Sequence, residues 1–322
     1  VSTASTAPAP CGAGGLTHRG LVYGSDAEFL ATTAPFLREG VERGEAVLSV
    51  NTAANTELLR QALGGTAREV EFLFAEEFYE SPGNTLGAYR RYVDEHTRPG
   101  RHTRIRVVGE PVWRGLDALE TAEWTRYEAA VNLTFAACPA SIICPYDTRV
   151  LPEGVVADAR RTHPQLAVGA SARPSAGYTA PTEDGGWRRA PMPVAAEGED
   201  VSMRFGADLT AVRQEVAKAA AGLGLSPERA ERLVFAVNEV ATNAVQHGSG
   251  AGHLSLRRSG RRVVCDVTSR GGDEAHWYLG YLPPDPGQPR GHGMWVVRQL
   301  CDLLEVHTDR GRTTVRLHIG LG

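Results

Sequence analysis

Lysine is almost missing from this chain. Its 322 residues include 34 basic side chains, and Lys218 is the sole lysine among them. A Walker-type phosphate loop needs a Lys beside Ser or Thr after a Gly-rich turn. Lys218 lies in AVRQEVAKAA, which has no such turn, so P-loop NTPases are excluded. No V-A-I-K strand and no H-R-D loop is present, which argues against the protein-kinase fold. Lysine Schiff-base chemistry has one candidate, and it sits in an Ala-rich helical run. Arginine codons are GC-rich, and a GC-rich coding sequence accounts for the bias without any functional demand.

Other absences narrow the field further. There is no apolar run of 18 residues, so no membrane span is expected. The first residues, VSTASTAPAPCGAGG, lack a basic segment followed by an apolar one and do not read as a secretory signal. Cysteine is sparse: Cys11, Cys138, Cys144, Cys265 and Cys301, with no C-x-x-C pair. An odd number at wide spacing reads as reduced thiols rather than a disulfide framework, and a cytoplasmic protein is expected. No strong basic patch is present either. Residues 1–200 carry a net charge of −7 and residues 201–322 carry +3, so direct nucleic-acid binding is not expected. The densest basic cluster, RRSGRR at 257–262, reads as a solvated hairpin tip.

What is present divides the chain in four. Residues 1–17 are small and Pro-rich and read as a disordered tail. Residues 18–169 alternate short apolar runs with amphipathic stretches. Strands are expected at 20–24, 46–50, 68–74, 104–110 and 141–146. Helices are expected at 26–43, 53–63, 84–97, 117–136 and 152–161. That alternation predicts a doubly wound, mostly parallel α/β sheet of RecA- or Rossmann-like type. Residues 170–202 are rich in Pro, Gly and charge without a period and read as a linker. Residues 203–322 predict helices at 207–222 and 226–247, a hairpin, a polar loop at 270–292, a helix from Gly293 and a closing hairpin. This is an α/β sandwich with helices on one face of an antiparallel sheet.

Two stretches of the last part carry chemistry. In VNEVATNAVQHG, Glu239, Asn243 and His247 are four residues apart and share a helix face. Leu233, Val237, Val240, Ala241 and Ala244 take the opposite face. Oxygen ligands one turn apart can hold Mg2+ with phosphate oxygens completing the shell. A solvent-facing polar stripe has the same pattern. In RGHGMWVV, Arg290 precedes Gly291 and Gly293, and a Gly-x-Gly at a helix start lets backbone N–H groups approach phosphate.

Together these stretches resemble the GHKL (Bergerat-fold) ATPase domain, in the branch of anti-sigma-factor serine kinases. VNEVATNAVQHG looks like the N box, and RGHGMWVVRQLCDLLEV looks like the last glycine box with the helix and strand that follow. The resemblance implies ATP and Mg2+ as cofactors. It also implies Glu239 as general base or metal-shell residue, Asn243 as Mg2+ ligand, Gly291 and Gly293 at the phosphates, and the 270–292 loop as ATP lid. One departure stands out. The family places an Asp before a Gly after the strand. Here, with Gly271 aligned to that glycine, Ser269 stands at the Asp position. Asp266 is an odd number of residues away and is expected on the other sheet face.

Residues 18–169 resemble the MEDS sensory domain of prokaryotic signalling proteins. The matching stretches are HRGLVYGSDAEFL, FLREGVERGEAVLSV and CPYDTRVLPEGVVADARRTHPQL. The resemblance implies a domain that senses a small molecule. Its polar candidates are His18, Tyr23, Cys144, Asp147 and His163. Cys144 and Asp147 fall at a strand end, where ligands bind in open α/β sheets. His and Cys together suit zinc, iron or haem, although their spacing is not that of a metal motif. Cys144 as a small core residue, and His163 as an ordinary helix C-terminal residue, are the plainer readings. Glu76 and Glu77, between Phe74 and Phe78, read as a charged loop.

The combined expectation is a regulator in which a sensory domain controls an ATP-binding serine/threonine kinase domain. Its expected partners are a small-molecule signal and an anti-anti-sigma (STAS-type) protein or a sigma factor, with a homodimer as a further candidate. The alternative is a non-catalytic partner-binding module with a decayed nucleotide site.

Overall fold

The structure is a computed structural model that describes residues 15–182, 187, 201–271, 276–284 and 292–321. The chain forms two compact units, one built mainly from residues 7–186 and the other from 187–322.

The first unit runs β1 (Thr17–Tyr23), α1 (Asp26–Glu42), β2 (Ala46–Asn51), α2 (Ala53–Leu63), β3 (Glu71–Phe74), α3 (Ala75–Phe78), α4 (Pro82–His96), β4 (Ile105–Gly109), α5 (Ala118–Thr134), β5 (Ala140–Asp147), α6 (Glu153–Thr162), β6 (Gln165–Val168) and β7 (Ser171–Pro174). A short 3-10 turn precedes β3. The sheet order is β3-β2-β4-β5-β1-β6-β7, parallel except for the antiparallel β6–β7 pair. The central strands are covered on both faces, so β2 and β4 are buried at every position.

Helix starts follow from side-chain caps. Ser25 accepts the Glu28 amide at α1 and Thr52 accepts the Asn55 amide at α2. Asp117 and Glu120 form a reciprocal capping box at α5. Leu21, Tyr23, Phe29, Leu37, Leu59 and Ile143 belong to the core on the α1–α2 face. Buried Arg106 crosses that face, held by Glu45 Oε2 at 2.6 Å and Glu39 Oε2 at 2.7 Å.

The second unit runs β8 (Val201–Phe205), α7 (Thr210–Gly222), α8 (Pro227–His247), β9 (Gly252–Ser259), β10 (Arg262–Arg270), α9 (Gly293–Leu300), β11 (Leu303–Asp309) and β12 (Arg312–Gly320). Its sheet, β11-β12-β10-β9-β8, is antiparallel throughout. Ser226 caps α8 by accepting the Arg229 amide, and Pro227 fills the first helical position. The apolar face of α8, from Leu233 to Ala244, packs on Val263, Cys265 and Val267 of β10.

Both predicted architectures are present, with local corrections. Thr17, read as tail, opens β1. Residues 171–174, read as linker, form β7, because a four-residue edge strand is too short to show a period. Strand β6 was missed for the same reason. Residues 201–202, also assigned to the linker, belong to β8. Helix α7 begins at Thr210 rather than 207. Helix α9 stops at Leu300, and the last Leu pair of its apolar run belongs to β11. Glu76 and Glu77 lie on the short exposed helix α3 rather than in a loop. Cys138 is disulfide-bonded, against the reduced state expected for all five cysteines; sequence spacing does not report proximity in space. Cys144, Cys265 and Cys301 are free and buried. No helix among the described residues is long and apolar enough to cross a membrane.

Candidate functional site

In the second unit the polar stripe of α8 meets the start of α9. A β-carbon placed on Gly293 would lie 3.1 Å from Glu239 Oε2 and 3.6 Å from Asn243 Nδ2. Glycine at this position keeps the space before both side chains open. Glu239 and Asn243 are half-buried and His247 is exposed at the helix end. The C-terminus of α8 abuts the end of β10. A β-carbon on Gly248 would collide with the Ala244 carbonyl and come within 3.0 Å of the Arg270 carbonyl. Gly271 follows with φ +88°, in the left-handed region that suits glycine. It sits against Gly248 and Ser249. Ser269 pairs with Thr313 and Gly252. By strand alternation it shares a face with Val267 and Cys265, which pack on α8.

Asp266 occupies the opposite face. Arg316 donates to it through Nε at 2.6 Å and Nη2 at 2.8 Å, and Arg257 donates at 3.1 Å. Burial would raise this carboxyl, but the two guanidinium groups outweigh burial and hold it below its usual range. It is therefore committed to a buried ion cluster. The described part of the 270–292 loop packs on α9: the Arg298 guanidinium lies 3.7 Å from the Tyr281 ring centroid and donates to the Leu279 carbonyl at 2.9 Å.

In the first unit the five sensory candidates separate into two groups. Tyr23 and Asp147 end β1 and β5 at the carboxyl edge of the sheet. There the Tyr23 hydroxyl accepts from Asn55 at 3.1 Å. Asn55 also donates to Glu110 at 2.9 Å, and the Thr52 amide donates to Glu110 at 3.1 Å. Arg149 donates to Asp147 at 2.7 Å and stands over the Tyr23 ring. Burial pushes Tyr23 and Glu110 upward, whereas the Arg149 hydrogen bond holds Asp147 down. The helices after β1 and β2 lie on one face and those after β4 and β5 on the other, which is the crevice geometry where open α/β sheets take ligands.

His18, Cys144 and His163 form the second group, on the α5–α6 face, together with Glu128. His18 Nε2 lies 3.4 Å from Cys144 Sγ and 3.5 Å from Glu128 Oε2. His163 Nε2 also lies 3.5 Å from Glu128 Oε2. The four ligand atoms all fall within 4.8 Å of one another. Burial, then the neighbouring His18, keeps His163 well below its ordinary value, and burial with Glu128 pushes the Cys144 thiol up. His163 does cap the end of α6, as the plainer sequence reading had it, but its ring is fully buried within this cluster.

Residues 17–164 match the family described as MEDS, the methanogen/methylotroph DcmR sensory domain. Residues 206–319 match the histidine kinase-like ATPase domain family. The chain joins a MEDS domain to a histidine kinase-like ATPase domain. A similar solved structure is that of the RsbU and RsbW domains of Rv1364c from Mycobacterium tuberculosis, at 20% identity. It covers 37% of this chain and 32% of that one, with a TM-score of 0.28. This chain thus spans about a third of that structure's length. No curated protein matches the chain.

Within the ATPase domain the residues present fit a Mg2+–nucleotide group in their donor set. Glu239 offers a carboxylate and Asn243 an amide whose carbonyl can serve a cation, and both side chains meet the start of α9 at Gly293. Arg290 and Gly291, the other predicted phosphate residues, lie outside the described residues. Within the MEDS domain sequence reasoning missed Glu128, Asn55 and Glu110. Glu128 lies in a helix whose other polar residues look like surface, and no motif marks it. Asn55 and Glu110 each sit just beyond a strand end, and that position is the one signal that could have found them.

Proposed function

We propose that the chain is a cytosolic two-domain regulator in which the MEDS domain senses a small molecule and controls nucleotide-dependent serine/threonine phosphorylation by the ATPase domain. The convergence of Gly293 with Glu239 Oε2 and Asn243 Nδ2 carries this reading. Asn243 would hold Mg2+ through its side-chain carbonyl, with His247 at the rim of the same face. When bound, Mg2+–ATP supplies the phosphoryl group and the charge neutralisation that its transfer requires. Glu239 orients the acceptor hydroxyl and takes its proton. The α9 N-terminus, opened by Gly293, directs backbone N–H groups toward the phosphates. Those amides and the helix end bind anions without a lysine. The partner best suited to the reading is a STAS-type protein with an acceptor Ser or Thr, or a sigma factor; a homodimer is a further candidate assembly.

A second reading rests on Ser269. It stands where a carboxylate would accept from the adenine amino group, and Asp266 is engaged by Arg316 and Arg257. The ATPase domain would then be a partner-binding module with a weakened nucleotide site. Calorimetric titration with Mg2+–ATP separates the two. Saturable heat that Glu239→Ala and Asn243→Ala abolish supports the kinase reading. No heat at millimolar nucleotide leaves the binding module. Labelled ATP with candidate partner proteins then tests transfer itself.

A further inference from the structure

The four side chains His18, Glu128, Cys144 and His163 come from four separate elements of the MEDS domain. His18 lies on β1 and Cys144 on the adjacent β5, where Cys144 is in register with Gly20. Glu128 projects from α5, and His163 ends α6. Gly20 has no side chain where one would press on His163: a β-carbon there would lie 3.2 Å from the imidazole Cγ. All four residues are buried, at 5% exposure or less.

The orientation of both imidazoles is fixed from behind. His18 Nδ1 lies 3.1 Å from Asn132 Oδ1, and His163 Nδ1 lies 2.8 Å from the Ala159 carbonyl oxygen. Each Nδ1 therefore carries the proton as donor, and each Nε2 turns its lone pair inward. This is the outer hydrogen bonding that metal-bound histidines use. The inward set is then two nitrogen lone pairs, a carboxylate and a thiol. No nitrogen or oxygen donor reaches either Glu128 oxygen, which has only the Cys144 thiol beside it, and His163 Nε2 has no hydrogen-bond partner. A buried carboxylate without one is costly.

The distances select between two explanations. Charge-assisted hydrogen bonds between these groups would close to about 2.7–2.9 Å. Both histidine–Glu128 pairs stand at 3.5 Å, too long for such a bond, while His18–Cys144 at 3.4 Å is an ordinary nitrogen–sulfur hydrogen-bond distance. Ligand bonds of about 2.0–2.3 Å in a tetrahedron place neighbouring ligand atoms about 3.3–3.8 Å apart. Three of the six separations match the edges of such a tetrahedron, and the whole set lies within 4.8 Å, so a modest inward shift of the side chains would complete it.

We infer that His18, Glu128, Cys144 and His163 form a closed site for one zinc-type divalent cation. The Glu128 carboxylate and the Cys144 thiolate together balance its two positive charges. The mixed nitrogen, sulfur and oxygen set suits zinc rather than magnesium or calcium. On binding, the Cys144 S–H bond breaks, its proton passes to solvent, and the sulfur pair enters the metal bond. With four protein ligands the ion clamps β1, β5, α5 and α6 together. A cavity of about 280 Å³, lined in part by His18 and Asn132, borders the outer side of the site.

The test uses the full chain without an affinity tag, stripped with chelator and refilled with Co2+ or Zn2+, in the absence of nucleotide. One equivalent of Zn2+ is expected. Co2+ should give a thiolate-to-metal charge-transfer band with intense tetrahedral d–d bands. Cys144→Ser should abolish the charge-transfer band, while Cys265→Ser should leave it. Asn132→Ala removes no ligand and should weaken metal affinity by about 10–100-fold with an unchanged circular dichroism spectrum. That variant keeps the test open if Cys144→Ser or Glu128→Gln fails to fold. A folded wild-type chain with no band at excess Co2+ would overturn the site, as would a band that survives Cys144→Ser. Neither outcome depends on whether ATP binds.

Discussion

The MEDS and ATPase domains keep their chemistry in opposite ways. The MEDS domain gathers its polar groups from distant segments and buries them. Its cluster spans residues 18 to 163, with every member at 5% exposure or less. The ATPase domain takes its central pair from one helix face, four residues apart, and leaves them half-buried. Buried groups are coupled to folding, because each needs its partner or costs free energy alone. Half-exposed groups are coupled to the ligand and contribute little to folding. Mutation should therefore harm stability in the first domain and binding in the second.

The largest expected effect tests the buried side. Arg106→Ala leaves buried Glu45 without its bound guanidinium, and losing one partner of a buried pair costs about 3–5 kcal/mol. Urea unfolding should show that loss in the MEDS transition and none in the ATPase transition. Equal loss in both would dissolve the contrast. Acid should find a place where the ATPase domain behaves like its neighbour. Asp266 is held below its unfolded value by Arg316 and Arg257, so its stabilisation is complete above about pH 4. It is lost as pH falls through the depressed value. In acid titration followed by circular dichroism, Asp266→Asn should lack that component.

Smaller effects belong to the exposed side. Asn243→Ala should lower Mg2+–ATP affinity at least tenfold, about 1.4 kcal/mol, while shifting stability by no more than about 0.5 kcal/mol. Calorimetry and urea unfolding of the same protein check both halves. Ser269→Asp should raise adenine-nucleotide affinity by about tenfold; unchanged titration curves would remove the carboxylate argument. Gly293→Ala should weaken nucleotide binding by a few-fold without unfolding. The added methyl meets the movable Glu239 carboxyl rather than backbone.

The same contrast explains what the sequence made legible. Glu239, Asn243 and Gly293 were readable because helix periodicity and a Gly-x-Gly are local patterns, and contact between the two segments follows from the fold they imply. Strand alternation likewise put Asp266 and Ser269 on opposite faces. Glu128 was not readable. A glutamate in AEWTRYEAAVN has no local mark that distinguishes a buried one from a surface one, and its partners are set by parallel-strand register. The edge strands β6 and β7 were lost for a related reason: four residues hold too few alternations to outvote their Pro and Gly neighbours.

One of those edges has a consequence for how the protein behaves in company. An open parallel sheet offers unpaired amides and carbonyls at each rim, ready to recruit a strand from another molecule. Here both rim strands, β3 and β7, are only four residues long. β7 runs against the grain of the sheet and is exposed at every position. It carries Arg173 and closes on Pro174, which has no N–H to donate. Such a short, charged, proline-ended rim disfavours strand addition from another molecule.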